Sequence, residues 1–337
     1  MSLTGQTPVL EVQHLKKYFK IPKKGMLHAV DDVSFTVYPG ETVGLVGESG
    51  CGKSTVGNVL MQLHDKTDGE VKLNGQDMFA VPQKEICKDM QIIFQDPYSS
   101  LNPRQTIRTI LSEAYIVQKV CKKGPELDQR LLDLCKAVGF APELLDRYPH
   151  ELDGGMRQVV GIARALSLNP SFIVCDEPVS SLDVSVQAKI INMLMRLQRE
   201  RNISYLFISH DLSVVRHISN RICVMYLGQI VEMASTDTIF EHTLHPYSLA
   251  LLSAVPRVSD TKVSRIVLKG DVPSPMNPKP GCRFAPRCWM ARPECFESDP
   301  PFEEIEPGHC VRCFFWQQSR EAMKSAETTG ISELENE

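Results

Sequence analysis

Apolar and polar residues alternate along much of residues 8–75, the two-residue period of half-buried strands. In DDVSFTVYPGE, Val33, Phe35 and Val37 share one face, and Pro39-Gly40 turns the chain. The pattern then changes. TVGLVG, MQIIFQD, SFIVCDE and SYLFISHD each carry a short apolar run, the mark of strands buried on both faces. Between these runs lie stretches of helical period. One begins near Val186 and puts Val186, Ile190, Leu194 and Leu197 on one stripe. Strands alternating with helices predict an α/β fold with a mainly parallel sheet covered on both faces, beside an antiparallel β subdomain formed by the early strands. Residues 98–150 are helical by pattern and predict an inserted helical subdomain, about 98–165 in full. ICVMYLGQIVEMA reads as a hairpin turning at Leu227-Gly228.

After about Pro256 the pattern dissolves. Pro273, Pro275, Pro278, Pro280, Pro286, Pro293, Pro300 and Pro301 exclude long helices. The end of the chain, SREAMKSAETTGISELENE, is polar and net acidic, and residues 317–337 are expected to be disordered. With 337 residues, 42% hydrophobic and 23% charged, the chain can build one large core and a smaller appended unit. A formal net charge of −4 gives no reason to expect nucleic-acid binding. No apolar run approaches the roughly 20 residues that span a bilayer, and MSLTGQTPVL lacks the pattern of a secretory leader. The expectation is a chain that stays in the cytosol and touches membranes only peripherally.

GESGCGKST, from Gly47 through Glu48, Ser49, Gly50, Cys51, Gly52, Lys53 and Ser54 to Thr55, fits the pattern G-x-x-x-x-G-K-[ST] between a strand and a helix. Glycines there let backbone N–H groups converge on phosphate oxygens, and the helix N-terminus adds its dipole. Lys53 is expected to reach the terminal phosphates and Ser54 to ligate Mg²⁺. FIVCDE ends a buried strand with Asp176, placed to hold Mg²⁺, and Glu177, placed to activate a water. His210 ends another strand, where an imidazole can meet a γ-phosphate. Gln95 ends a third and can bridge metal or water. A glycine-rich turn, an acidic loop and a structural histidine are the plain alternatives, each weakened by the presence of the others.

Taken in order, the Gly47–Thr55 loop, Gln95, LDGGMRQ, CDE, SSLD and SHD resemble the ATP-binding subunit of an ABC transporter over roughly residues 8–256. The resemblance implies an ABC-type P-loop domain, ATP and Mg²⁺ as cofactors, and a head-to-tail pair of domains with nucleotide sandwiched between them. It implies that Gly154 and Gly155 serve ATP held by the partner, and that Ser180–Asp183 crosses the interface. It also implies an adenine-stacking aromatic near the N-terminus: Phe19 by position, Tyr18 in reserve. LDGGMRQ departs from the usual LSGGQ. Asp153 stands where a serine would donate to the partner's γ-phosphate, and Met156 where a glutamine would stand. An N-cap is the plain reading of Asp153. The sharper expectation is an asymmetric pair of unlike ATPases, in which this chain's own site is complete and the partner's site faces an acid.

Eleven cysteines divide unevenly. Cys51, Cys87, Cys121, Cys135, Cys175 and Cys223 are scattered, whereas Cys282, Cys288, Cys295, Cys310 and Cys313 crowd one end. An odd count in a reducing compartment argues against a disulfide framework. A proline-rich segment with little core of its own can be organised by a metal centre, and thiolates suit zinc or iron–sulfur. The stretch from LHPYSLALLSAVP to GCRFAPRC resembles the C-terminal region, here 257–316, of dipeptide/oligopeptide importer ATPases. That resemblance implies a 4Fe–4S cluster on Cys282, Cys288, Cys295 and Cys310, with Cys313 as a substitute ligand or a bystander and zinc as the alternative metal. It further implies a peptide importer on the cytoplasmic face of the inner membrane, with a second, non-identical ATPase, two transmembrane permeases and an extracytoplasmic peptide-binding protein. Alternatives are a non-transport ABC ATPase, a redox-regulated one, or an importer of nickel or glutathione.

Overall fold

In the computed structural model, residues 6–255 and 266–320 are described. The expected boundary near Pro256 and most of the expected disordered tail lie outside them, while residues 316–320 are helical. The early alternation forms an antiparallel layer of β1 (Leu10–Ile21), β2 (Gly25–Val37), β4 (Asp68–Leu73) and β5 (Gln76–Asp77) in the order β2-β1-β4-β5. Between β2 and β4 run β3 (Thr42–Val46) and α1 (Lys53–Leu60). The apolar runs become β3, β6 (Met90–Ile93), β7 (Phe172–Asp176) and β8 (Ser204–Ser209), with α2 (Gln83–Asp89) leading directly into β6. With β9 (Arg221–Tyr226) they form the parallel part of the central sheet, ordered β9-β3-β8-β7-β6.

Strand periodicity divides the interior in two. On β8, Leu206 and Ile208 face a core shared with the antiparallel layer, including Leu10, Val33 and Phe35. Tyr205 and Phe207 face the opposite core, shared with α7 (Val184–Arg201) and the helical insert. That insert consists of α3 (Pro97–Ser100), α4 (Ile107–Val117), α5 (Pro125–Val138) and α6 (Gly154–Leu166). The α7 stripe buries Ile190, Leu194 and Leu197 as expected, but the helix begins at Val184 because the Asp183 carboxylate caps it, accepting from Val186 N at 3.0 Å. After β8 come α8 (Leu212–Ile218), β9, β10 (Gln229–Ser235), α9 (Thr236–His242) and α10 (Pro246–Ser253). β9 and β10 form the expected hairpin, with Leu227 and Gly228 both at positive φ.

The C-terminal region is more integrated than its prolines suggest. After the short α11 (Glu294–Glu297), β11 (Glu303–Glu306) and β12 (His309–Val311) extend the central sheet, β12 pairing antiparallel with β10. Glu232 of β10, fully buried, accepts from His309 Nε2 at 2.9 Å, Thr243 Oγ1 at 2.7 Å, Leu244 N at 2.6 Å and His245 N at 3.1 Å. Burial pushes its carboxyl pKa up, but the donors from His309 and its neighbours outweigh that and hold it low. Burial likewise pushes His245 down to about 4, so it is neutral. Among the described residues no helix is long and apolar enough to cross a membrane.

Candidate functional site

Neighbouring parallel strands deliver the site residues from their carboxyl ends, where open α/β sheets gather ligands. β3 runs into the Gly47–Thr55 loop and α1, His210 follows β8, Glu177 follows β7, and Gln95 lies two residues beyond β6. A Cβ on Gly47 would stand 2.2 Å from Met225 O, and one on Gly52 2.1 Å from Ala29 O, so the loop's path admits no larger residue at either position. Lys53 Nζ, nearly buried, donates back across the loop to Gly47 O at 2.9 Å and Glu48 O at 3.0 Å.

Ser54 Oγ donates to Asp176 Oδ1 at 2.9 Å, so the two residues expected to hold Mg²⁺ are already adjacent. Burial raises the Asp176 pKa, the Ser54 hydroxyl lowers it, the Glu177 charge raises it again and Lys53 lowers it, with a net rise. A buried carboxylate that is costly to ionise beside a hydroxyl is an oxygen-donor set suited to a hard divalent cation. Glu177 occupies the left-handed region at φ 46°, uncommon for a residue with a side chain, and its N–H is tied to Ile208 O at 3.0 Å. Its Oε2 accepts from Gln95 Nε2 at 3.0 Å and lies 3.2 Å from His210 Nδ1.

Lys53, Ser54, Gln95, Glu177 and His210 line one cavity of about 560 Å³ with Ser49, Gly50, Cys51, Thr55 and Phe19, and Asp176 lies behind Ser54, which bonds to it. Tyr18 is turned away: its hydroxyl donates to Asp31 and its ring stacks on His28 at 3.9 Å. Of Phe19 and Tyr18, only Phe19 lines the cavity. Leu227, Gly228 and Pro275 complete the wall, and Pro275 comes from the C-terminal region, which the motif reading did not connect to this site. The peptide ties that hold it, His28 N to Pro275 O at 3.1 Å and Asn277 N to Met26 O at 2.9 Å, leave no sequence signal.

Asp153, Gly154 and Gly155 stand apart from this cavity at the start of α6. Asp153 Oδ1 accepts from Met156 N at 2.7 Å, a helix cap, while the residue itself is exposed. A Cβ on Gly155 would lie 2.8 Å from Val186 Cγ1, which ties this turn to α7.

The cysteines sort differently from the sequence expectation. Cys282, Cys288, Cys295 and Cys313 line one small apolar pocket, whereas Cys310 lies on β12 opposite Met233 and Glu304. The strand is the reason: β12 commits Cys310 to the sheet, and the chain reaches the pocket only afterwards, at Cys313. Burial pushes the Cys288 thiol up to about 11 and Cys313 up to about 12, reinforced by the neighbouring cysteines. Among the described residues no group of three or more His, Cys, Asp or Glu side chains is arranged to hold a metal ion.

Fold and site together define an ABC-type ATPase: a P-loop, an acid pair after the next sheet strand but one, and a capped glycine pair on a helical insert. Comparison with known proteins agrees. Residues 30–180 match the ABC transporter family and residues 231–295 the oligopeptide/dipeptide transporter C-terminal region. The chain belongs to the ABC transporter family, among ATP-binding proteins that carry this C-terminal region. The putative oligopeptide transport ATP-binding protein YkfD of Bacillus subtilis (strain 168) is 50% identical over 318 residues, covering 93% of this chain and 97% of that protein. The dipeptide transport ATP-binding protein DppF of Haemophilus influenzae is 46% identical over 319 residues, covering 91% and 97%. The dimeric ATP-binding cassette MJ0796, in a post-hydrolysis state with ADP and Pi, superposes with a TM-score of 0.61 at 27% identity, covering 67% of this chain and 98% of that one.

Proposed function

We propose that this ATPase powers peptide import, working as one of two unlike ATPases on the cytoplasmic face of the inner membrane. The observation that carries the reading is full-length similarity to oligopeptide and dipeptide transport ATP-binding proteins, C-terminal region included. In this reading the loop N–H groups and Lys53 bind the phosphates, Phe19 stacks on adenine, and Ser54, Asp176 and Gln95 hold Mg²⁺. The metal, when bound, neutralises charge on the phosphates. Glu177 takes the proton of the attacking water, with Gln95 orienting its carboxylate and His210 placed toward the γ-phosphate. Two permeases, reached through the Gln95 loop and the helical insert, and an extracytoplasmic peptide-binding protein are the partners. Nucleic acid is not. When the complex is purified with its permeases, peptide-loaded binding protein is expected to stimulate ATP hydrolysis severalfold. Stimulation by nickel or glutathione, with none by peptides, would transfer the cargo to another class.

The second part of the reading concerns the thiol pocket. Cys282, Cys288, Cys295 and Cys313, rather than Cys310, would hold an iron–sulfur cluster, with zinc as the alternative. Support comes from the shared pocket and its all-cysteine lining of possible ligands. Anaerobically purified protein is expected to be brown with iron and acid-labile sulfide, and Cys313→Ser to lose both while Cys310→Ser keeps them. Stoichiometric zinc without iron would decide for the alternative.

A further inference from the structure

The P-loop of this chain contains an acid, Glu48, in a structure whose task is to attract phosphate. Its surroundings resolve the conflict. Arg287, one residue before Cys288, donates from Nη1 to Glu48 Oε2 at 2.8 Å and from Nη2 to Glu48 Oε1 at 3.1 Å, a two-pronged pair. The arginine side chain is 8% exposed and the glutamate side chain 27%. The pair is set by its surroundings. Arg287 lies over the Tyr226 ring at 5.9 Å, and Tyr226 packs on Tyr247 and Phe284 with ring centres 4.7 and 5.3 Å away. Glu48 N donates to Tyr247 Oη at 2.9 Å, and Glu48 O accepts from Lys53 Nζ at 3.0 Å. One residue of the loop is thus held through its carboxylate and its N–H by the region after β10, and through its carbonyl by the phosphate-binding lysine.

We propose that Arg287 is a positioning residue for ATP binding. It fixes the P-loop at Glu48, with Lys53 and the loop N–H groups facing the phosphates, and it cancels the Glu48 charge that would otherwise repel them. The planar fork matters as well as the charge, because lysine cannot grip both oxygens in one plane. The interaction is made with the loop in ground and transition states alike, so its loss falls on KM and ATP affinity, not on kcat.

The test compares four variants for equilibrium ATP binding, steady-state kinetics and thermal midpoint. Arg287→Gln is expected to weaken ATP binding and raise KM about tenfold, with kcat within about twofold, and the loss to shrink as salt rises. Arg287→Lys should fall between it and the parent. Arg287→Gln combined with Glu48→Gln removes the acid as well, and should recover the part of the affinity owed to the uncancelled charge, while the part owed to the lost fork stays lost. Asp32→Asn breaks a different tie of the same region, Arg312 Nη2 to Asp32 Oδ2 at 3.1 Å, and should leave ATP binding unchanged. Parental affinity in Arg287→Gln, no recovery in the double variant, or equal losses in Asp32→Asn would each reduce the pair to a structural staple and overturn the proposal. Should Arg287→Gln fail to fold, Arg287→Lys and the double variant still decide it.

Discussion

Glu177→Gln is expected to lower ATP turnover by about a thousandfold, in the range general-base loss produces, while ATP affinity stays within about threefold of the parent. The amide has the size and shape of the carboxylate. Its oxygen can still accept from Gln95 Nε2, now 3.0 Å from Glu177 Oε2, and its backbone can keep the φ of 46° fixed by the tie to Ile208 O. What the amide cannot do is take a proton. Single-turnover hydrolysis measured beside equilibrium binding separates the two effects. Normal turnover would move the base to another residue, with His210, 3.2 Å away, the first to examine.

The same substitution carries a signed pH prediction. Burial, and then the Glu177 charge, raise the Asp176 pKa against the opposing Ser54 and Lys53 contributions. A carboxyl whose folded pKa is raised binds its proton more readily in the folded state. It therefore costs stability above that pKa, and the cost vanishes as pH falls below the unfolded value near 3.9. Removing the Glu177 charge removes part of the cost. Nucleotide-free Glu177→Gln should melt higher than the parent at neutral pH, and the gain should shrink on acidification.

The catalytic half of the molecule was legible in the sequence because each element there has local causes. Apolar runs bounded by Gly, Asp or His become strands whose ends carry chemistry, and parallel pairing brings those ends together without further instruction. Leu227-Gly228 announced its turn for the same reason. The C-terminal region was harder to read because its order is borrowed. β12 exists through pairing with β10, Glu232 is satisfied by His309 from 77 residues away, and Pro275 reaches the cavity through backbone ties to β2. None of these leaves a period or a motif. The cysteines show the cost most plainly: Cys310 was expected beside Cys282, Cys288 and Cys295, with Cys313 as substitute or bystander, whereas β12 sets Cys310 opposite Met233 and Cys313 shares the pocket with the other three. The contact of Arg287 with Glu48, 239 residues away in sequence, likewise leaves no local pattern.

The isolated chain should hydrolyse ATP at least tenfold more slowly than its complex with an unlike ATPase that carries an intact signature serine. In a pair of identical chains each nucleotide would face the partner's Asp153. Two unit charges about 4 Å apart repel by about 4 kcal/mol at an effective dielectric near 20, and even half of that exceeds the roughly 1.4 kcal/mol that makes a factor of ten. Mg²⁺ and Lys53 would offset part, which is why tenfold is the floor. The helix cap does not require the acid, because Ser is as good an N-cap as Asp. Asp153→Ser should therefore keep the thermal midpoint while raising the activity of the isolated chain at least tenfold. Asp153→Asn, neutral and also able to cap, should recover the part owed to charge. In the complex with its partner, Asp153→Ser should act only on the partner's site, seen when this chain's own site is silenced by Glu177→Gln. An isolated chain that turns over ATP as fast as the complex, and is indifferent to Asp153→Ser, would mean that the carboxylate caps α6 and does nothing more.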